Sequence, residues 1–383
     1  MNSLRLSIII PTLQEEDNLA RLLKQIRRQK GIEVEILVAD GGSRDGTEGV
    51  ARAFGARWIV AVAGRGRQMN QAAKVAGGEE LLFLHADSGL PAVANFLAIA
   101  VAALVEARVR LGSEAVAGHF PLRFATTRKR LGRQLRFHEW KSRLNRPFCA
   151  NGDQGLLLSR AFFRQLGGFD ESLPFLEDLR LGEKIRRSGH WVTLPGELVT
   201  SARRFEVEGY EVRTLLNLLV VVGATTGLQA SLSELPEIYR PHSESPEIFR
   251  PHSESPGTCR SPVGGSRPRE EGEPRTRIAR CLEWLAATVG RLPPGERIRW
   301  WYRLGIMARS HGLWQVFLWL DLRVGRTRLG TRRPFLAFHD RLLAPVTRLG
   351  IFDAMAAILL YLAFLGSRSC QGRRLSERRS HGP

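Results

Sequence analysis

Apolar runs alternate with helical patterns along residues 5–90, and this alternation constrains the fold more than any other feature of the chain. The runs that predict β-strands lie at 5–10, 34–39, 57–62 and 81–86. Between them, apolar residues recur three and four positions apart, the spacing of one helix face, as in Leu19, Leu22, Leu23 and Ile26. Alternating strands and helices form parallel sheets with right-handed crossovers. The sequence therefore predicts an α/β fold with a mostly parallel sheet flanked by helices.

Two of the predicted strands end in a carboxylate. Asp40 follows VEILVA and precedes the loop GGSRDGT, and Asp87 follows LLFLHA. Open α/β sheets bind their ligands at the carboxyl ends of the strands. An acidic crevice there attracts a divalent cation, which is the usual partner of a substrate diphosphate. These two strand ends predict a cation site that faces a diphosphate.

The chain divides into three parts by composition. We expect residues 1–233 to form the α/β domain, in which 112–210 adds further strands and a basic amphipathic helix at 128–146. The uncharged stretch 214–233 contains several polar residues, so it predicts a core or interfacial helix rather than a membrane span. Residues 234–276 carry a tandem decapeptide repeat and many Pro, Ser and Arg residues, which predicts a disordered linker.

Residues 277–383 predict a basic, Trp-rich, mostly helical region of unknown role. Residues 256–383 contain 23 Arg, no Lys and nine acidic residues, so +14 of the formal net charge of +19 lies there. Such a balance favours an anionic partner, either a lipid surface or nucleic acid. Because the chain has no nucleic-acid-binding motif, we expect an anionic membrane surface and no nucleic acid. The apolar run 351–366 includes Asp353, so docking on that surface is favoured over a full span.

The four cysteines are widely spaced, which indicates neither a zinc site nor a disulfide framework. The apolar stretch at the N-terminus is too short for a signal peptide. We therefore expect a cytoplasmic protein, peripheral at the inner membrane.

Six motifs in order resemble those of family-2 glycosyltransferases with the GT-A fold. They are SIIIPTLQEEDNL, VADGGSRDGT, GRGRQMNQAA, LLFLHADSGLP, NGDQGLLLSR and GGFDESLPFLEDLRLGEKIRRSG. The chain is also similar to the bacterial radical-SAM/selenodomain-associated transferase subgroup. The resemblance covers about residues 5–210 and implies a Rossmann-like sheet, a nucleotide-diphosphate-sugar donor, inversion in one displacement, and Mg²⁺ or Mn²⁺.

The resemblance implies nucleotide-sugar binding by residues of four segments. These are Pro11, Thr12, Glu15, Asp40, Asp45, Arg65, Arg67, Gln68, Asn70, Arg203 and Arg204. Some of them have ordinary structural alternatives. Asp40 could cap the turn that follows it, Asp45 could cap the helix that begins near Thr47, and Arg65 could be a solvated residue at a helix start.

The resemblance also implies the reacting groups. HAD at 85–87 takes the place of a DxD motif, with Asp87 as metal ligand and His85 either a second ligand or a packed strand residue. Asp178 matches the general base, and Glu177 would shape the acceptor pocket, although both could merely complement a helix dipole. Asp153 and Gln154 match an acceptor-side loop that could equally be a plain turn.

Two functions of different classes remain open from the sequence. One is an inverting glycosyltransferase that acts on a hydroxyl or carboxylate of a lipid or lipid-linked acceptor. The other is a catalytically idle nucleotide-sugar-binding scaffold that its basic tail recruits to membranes. A nucleotidyltransferase is disfavoured because PTLQEED is not a Gly-rich pyrophosphate loop.

Overall fold

The structure, a computed structural model, describes residues 5–172, 176–228, 274–324 and 333–380, and within them the side chains of all but 274–277 and 367–380. Its strands are β1 (Arg5–Thr12), β2 (Glu33–Asp40), β3 (Arg57–Val60), β4 (Glu80–Phe83), β5 (Val116–His119), β6 (Leu122–Ala125), β7 (Leu156–Ser159), β8 (His190–Thr193) and β9 (Leu198–Ser201).

The helices of the first part are α1 (Glu16–Ile26), α2 (Thr47–Ala53), α3 (Arg65–Val75), α4 (Phe96–Leu111), α5 (Lys129–Ser142), α6 (Arg160–Gln165), α7 (Glu177–Ser188), α8 (Arg203–Glu208) and α9 (Tyr210–Thr226). Those of the C-terminal part are α10 (Pro274–Gly290), α11 (Pro294–Met307), α12 (Leu313–Val324), α13 (Pro334–Phe338), α14 (Ala344–Val346) and α15 (Gly350–Ser380). Short π-helical segments, Ala308–Gly312 and His339–Leu343, join α11 to α12 and α13 to α14. The predicted linker 234–276 lies outside the described residues except for 274–276, which begin α10.

The main sheet has seven strands in the order β3-β2-β1-β4-β7-β5-β8. All neighbouring strands are parallel except β7, which runs antiparallel to both β4 and β5. A second sheet pairs β6 with β9, and Gly89 bridges to Val199 on β9. The predicted α/β architecture with a mostly parallel sheet is therefore confirmed.

Side chains of the central strand β1 alternate between two cores. Ile8 and Ile10 lie on one face of the sheet, in a cluster with residues of α1 and α4. Ile9 lies on the other face, with residues of α3 and α6. Because successive strand residues point to opposite faces, an unbroken apolar run is what a sheet covered on both sides requires.

Two local expectations differ from the structure. The run VAGHFPLRF reads as one strand, but it forms β5 and β6 in different sheets, with Pro121, which has no amide hydrogen to donate, between them. The loop GRGRQMN reads as a connection before a helix, but α3 already begins at Arg65.

A bidentate ion pair is buried between β4 and α4. Arg108 Nη1 and Nη2 lie 2.5 and 2.8 Å from the two carboxylate oxygens of Glu80, and these side chains are 8% and 3% exposed. We expect Glu80→Ala to lower the free energy of unfolding, measured in urea, by about 3–5 kcal/mol, because it leaves the buried guanidinium of Arg108 without its bidentate partner. Glu48→Ala, which breaks the exposed pair with Arg52, should change it by about 0.5 kcal/mol or less.

The C-terminal helices pack on α9 and on the segment after α5. Val212, Leu216 and Leu219 of α9 are buried in one cluster with Cys281 of α10, so α9 is a helix with a packed face. Trp314 of α12 lies in a cluster with Cys149. Within the described part of the chain, no single helix is long and apolar enough to cross a membrane.

Candidate active site

The carboxyl ends of β2 and β4 lie on either side of β1. Adjacent strands are about 4.8 Å apart, so these two ends are separated by about 10 Å. Asp40 ends β2 and is 3% exposed. Its Oδ2 accepts from the amides of Gly42 (2.8 Å) and Ser43 (2.7 Å), and its Oδ1 accepts from the Thr12 hydroxyl at 2.9 Å. Asp40 thus caps the turn after β2, and its contact with a nucleotide base stays a prediction.

The loops after β1 and β2 are tied to each other. Gln14, at φ +57°, accepts through Oε1 from the amides of Arg44 (2.7 Å) and Asp45 (3.2 Å). Asp45 Oδ1 accepts from the Thr47 amide and hydroxyl at the start of α2, and its Oδ2 accepts from the Glu16 amide at 3.2 Å. The capping interpretation of Asp45 therefore describes its contacts in this structure.

Two amides of α3 serve the fold. The Gln68 amide nitrogen donates to the carbonyls of Thr12 and Ala39, each at 2.8 Å, and joins the ends of β1 and β2. Asn70 donates to the Phe169 carbonyl at 2.9 Å and accepts from the Phe169 amide at 2.9 Å. Both side chains are buried, so they position the wall of the crevice, and direct contact with the nucleotide stays a prediction.

His85 and Asp153 form an ion pair just beyond the carboxyl end of β4. Nδ1 of His85 lies 3.0 Å from Oδ1 of Asp153. Desolvation lowers the pKa of His85, but the hydrogen bond and charge of Asp153, with the charge of Asp87, outweigh it and raise that pKa above 6.5. Desolvation raises the pKa of Asp153, but His85, with Arg204 and Arg65, holds it well below its usual range. The segment after β4 and the loop 151–155 are therefore joined by an ion pair. We call this His85–Asp153 pair and its surroundings the ionic centre.

Asp178 lies on the other side of the same centre. It is the second residue of α7, and its Oδ2 accepts from the Gly152 amide at 2.6 Å while its Oδ1 accepts from the Leu179 amide at 2.8 Å. A Cβ placed on Gly152 would lie 2.8 Å from His85 Nε2 and 3.1 Å from Asp178 Oδ2. Gly152 thus lets both side chains approach one point, where Asp178 retains a lone pair for a ligand and His85 offers one at Nε2 only when its ring is neutral.

The neighbouring carboxylates are held in position by partners of their own. Glu177, 3% exposed at its side chain, pairs with Arg65 at 2.9 Å between Oε1 and Nε. Burial raises the pKa of Glu177, the Asp178 charge adds to that rise, and Arg65 opposes it. Glu15 accepts from the Asn18 amide at 2.7 Å, and burial together with the Asp87 charge raises its pKa against the opposing charge of Arg203. Asp87, Glu15 and Asp178 therefore share one electrostatic environment.

Gln154 is one of the predicted acceptor residues, and two residues that no sequence pattern indicated also lie at this site. Gln154 is 1% exposed; its Oε1 lies 2.9 Å from Nδ1 of His119 and its amide donates to the Cys149 carbonyl. It packs behind the loop, and its contact with an acceptor stays a prediction. Gly152, which touches Asp178, and Arg21, which donates to the Asp87 carbonyl at 3.3 Å, were missed. An Asn-Gly pair reads as a turn, and nothing in the spacing of Arg21 points to β4.

The remaining predicted residues border this centre. Pro11 and Thr12 are the last two residues of β1 and are buried. Arg67 is exposed in the first turn of α3. Arg203 and Arg204 begin α8, and their charges act on Glu15 and Asp153 respectively.

The His85–Asp153 pair gives a pH-dependent prediction. A raised pKa for His85 means that the pair contributes to stability below that pKa and is lost as the pH rises through it. The lowered pKa of Asp153 places the acid limit of the pair well below pH 3.8. We expect Asp153→Asn to move the pKa of His85 downward, to 6.5 or below, because desolvation remains and the counter-charge is gone.

The measurement is an NMR titration of the His85 ring proton, assigned by its absence in His85→Gln. Asp170→Asn, which removes a carboxylate bound locally to Ser172, is the matched control and should leave the pKa of His85 where it is. An unchanged His85 titration in Asp153→Asn would contradict the ion pair.

The donor atoms fit a metal ion that is held mainly by substrate. Among the described residues, no group of three or more His, Cys, Asp or Glu side chains could enclose a cation. Mg²⁺ and Mn²⁺ on a diphosphate need only one or two protein ligands. Asp87 offers a carboxylate, and His85, whose Nδ1 is turned to Asp153, offers Nε2.

The profile of the family described as Glycosyl transferase family 2 matches residues 7–155. No curated protein matches the chain. Among solved structures, a mannosyltransferase from Pyrobaculum calidifontis, PcManGT, in complex with GDP-Man and Mn²⁺ is similar at 18% identity and a TM-score of 0.43, covering 92% of this chain and 87% of that one.

Two further solved structures are similar. TarS from S. aureus matches at 14% identity and a TM-score of 0.41, over 91% of this chain and 54% of that chain. This chain therefore spans about half the length of TarS. Glucosyl-3-phosphoglycerate synthase from Mycobacterium tuberculosis matches at 20% identity and a TM-score of 0.35, over 52% of this chain and 71% of that one.

Proposed function

We propose that this chain, whose residues 7–155 match the profile of glycosyl transferase family 2, moves a sugar from a nucleotide-diphosphate sugar to an acceptor with inversion. The observation that carries the proposal is the convergence of Asp87, His85 and Asp178 on one crevice at the carboxyl ends of the parallel strands.

The proposed mechanism divides three tasks among the residues of this crevice. Asp178, fixed by the amides of Gly152 and Leu179, takes the proton of an acceptor hydroxyl as that oxygen attacks the anomeric carbon. An acceptor carboxylate would attack in the same position without a base. Arg65, Arg203 and Arg204 offer positive charge to the departing diphosphate.

Asp87, with His85, would hold a divalent cation against the diphosphate. Mg²⁺ or Mn²⁺, when bound, supplies counter-charge for the leaving group. The imidazole of His85 can act as a ligand only when Nε2 is unprotonated, and Asp153 orients the ring through Nδ1. Because Asp153 also raises the pKa of His85, the ligand role is expected to strengthen as the pH rises above that pKa.

The acceptor is proposed to be a lipid or a lipid-linked glycan at the inner face of the cytoplasmic membrane. The support is the basic composition of the C-terminal part together with its contact with the acceptor-side segment, where Trp314 packs on Cys149 and Arg146 pairs with Asp340. This arrangement would connect a membrane-bound part of the chain to the loop that carries Gly152 and Asp153.

Release of free nucleoside diphosphate tests the proposal. UDP-sugars and GDP-sugars are incubated with the full chain, Mn²⁺ or Mg²⁺, and a total lipid extract as the acceptor source. We expect release from one donor that depends on metal and is stimulated by the extract. Nucleotide-sugar binding without any metal-dependent release would instead support the scaffold function.

A further inference from the structure

The outer surface of α15 is apolar although it faces solvent. Six of its side chains recur at helical spacing along one face and are between 39% and 64% exposed. They are Ile351, Met355, Ile358, Leu359, Leu362 and Leu365. Scattered exposed apolar residues are ordinary, but a continuous apolar stripe marks a surface that is covered by a partner.

The two most buried side chains of the same helix are a polar one and a small one, and Phe364 beside them packs on Trp301 of α11. Asp353 is 6% exposed and forms an ion pair with Arg309, and Ala357 is 8% exposed and lies against Gly305 of α11. A Cβ on Gly305 would come within 2.3 Å of the Asp353 carbonyl oxygen, so the two helices approach backbone to backbone. Polar and small residues inside with aliphatic residues outside reverse the arrangement of a helix in water and match that of helices in lipid.

The apolar surface continues into the segment before α15. Leu342, Val346 and Leu349 are 57%, 56% and 62% exposed, and the exposed Arg341 and Arg348 alternate with them. Pro334–Val346 and Gly350–Gly366 together have the length and composition of a membrane segment, but they are bent by 108° relative to each other. Such a bent pair can lie in the headgroup region of one leaflet with its apolar side toward the acyl chains.

We propose that these nine aliphatic side chains form a bilayer face, which docks the protein on one leaflet of an anionic membrane without crossing it. The bilayer face consists of Leu342, Val346, Leu349, Ile351, Met355, Ile358, Leu359, Leu362 and Leu365. Charge favours lipid over a second copy of this chain, because a surface bordered by arginines repels its own copy and attracts anionic headgroups. The sequence of α15 beyond Gly366 adds Arg368, Arg373, Arg374, Arg378 and Arg379.

The proposal deepens the proposed membrane location and is independent of catalysis, so its test measures binding alone. The full chain is sedimented with vesicles of phosphatidylcholine containing or lacking about one third phosphatidylglycerol. We expect binding to the anionic vesicles, and the double variant Leu359→Glu/Leu362→Glu should weaken it by roughly 100-fold or more, since each substitution removes aliphatic burial and adds a charge that lipid repels.

A second variant preserves the apolar residues and removes charge. Arg341→Gln/Arg348→Gln should weaken binding to anionic vesicles by roughly 30-fold, from about 1 kcal/mol per arginine, and leave binding to phosphatidylcholine unchanged. Val109→Glu, at a side chain 79% exposed on α4, is the matched control and should bind as the unsubstituted protein does.

Two outcomes would overturn the proposal. One is a lack of sedimentation of the unsubstituted chain with anionic vesicles. The other is a stable dimer in analytical ultracentrifugation that Leu359→Glu/Leu362→Glu converts to monomer, which would make the face a contact between copies. A chain that sediments with vesicles but releases no nucleotide would retain the bilayer face and disprove the proposed activity.

Discussion

Asp178→Asn should reduce the rate of sugar transfer by about 10²–10⁴-fold while the affinity for donor nucleotide changes little. An amide cannot take the acceptor proton, and general base catalysis contributes about that much to a reaction of this kind. The Asn side chain keeps one oxygen to accept from the Gly152 or the Leu179 amide, so the start of α7 should hold its shape. The measurement is kcat for nucleoside diphosphate release at saturating donor, beside calorimetric binding of UDP and GDP.

A purely structural role for Asp178 predicts a different pattern. Loss of one backbone hydrogen bond would lower the melting temperature and weaken donor binding together with kcat, whereas loss of a base lowers kcat alone. Glu183→Gln is the matched control because Glu183 lies on the same helix, paired with Arg180 at 3.0 Å and away from Gly152. Transfer that survives in Asp178→Asn at more than about a tenth of the normal rate would mean that the base lies elsewhere.

Local patterns were enough to predict the central part of the fold. The nearly unbroken apolar runs that form β1 and β2 are buried on both faces, and such runs are typical of parallel strands. The antiparallel β7 was not predictable, because an apolar run such as LLLS carries no information about its direction. The split of VAGHFPLRF into two sheets depends on the pairing of β6 with β9, which lies about 75 residues later in the sequence. A local pattern does not contain such a distant pairing.

The candidate site was predictable in its residue types but not in its pairings. A strand end predicted Asp87, and the family resemblance implied His85, Asp153 and Asp178. The structure brings these four residues to one place. The sequence could not show that Asp153 orients His85, because α4, β5, β6 and α5 lie between the two residues along the chain. It also could not show that Gln154, adjacent to Asp153, turns inward to His119, since that depends on the strand pairing of β5 and β7.

In the C-terminal part, too, the sequence predicted the helices but not the side on which each of them packs. Composition predicted basic helices and an anionic partner, but a helical pattern alone does not say which face is packed. Asp353 looked like an interruption of an apolar run, and the structure shows it as the inward partner of Arg309. Because Asp353 faces inward, the exposed side of α15 is more apolar than the mean hydropathy of residues 351–366 indicates.

Asp87→Ala should lower kcat/KM for transfer by about 10³-fold or more, and added Mn²⁺ should not restore it. Asp87 is the predicted metal-ligating carboxylate, and its negative charge acts on His85 and Glu15. A metal ion on a phosphate contributes several kcal/mol of transition-state stabilisation, and each 1.36 kcal/mol corresponds to a factor of ten in rate. The measurement is nucleoside diphosphate release as a function of Mn²⁺ concentration from micromolar to millimolar.

The metal titration separates a ligand from a residue that merely shapes the loop. If Asp87 holds the cation, Asp87→Ala should also lose the metal-dependent part of UDP and GDP binding, while metal-free nucleotide binding stays the same. Asp17→Ala removes an exposed carboxylate in the first turn of α1 and should leave the Mn²⁺ dependence unchanged. Asp87→Ala that turns over normally at saturating Mn²⁺ would remove the metal from this site and leave the counter-charge of the diphosphate to cationic side chains such as the arginines of α3 and α8.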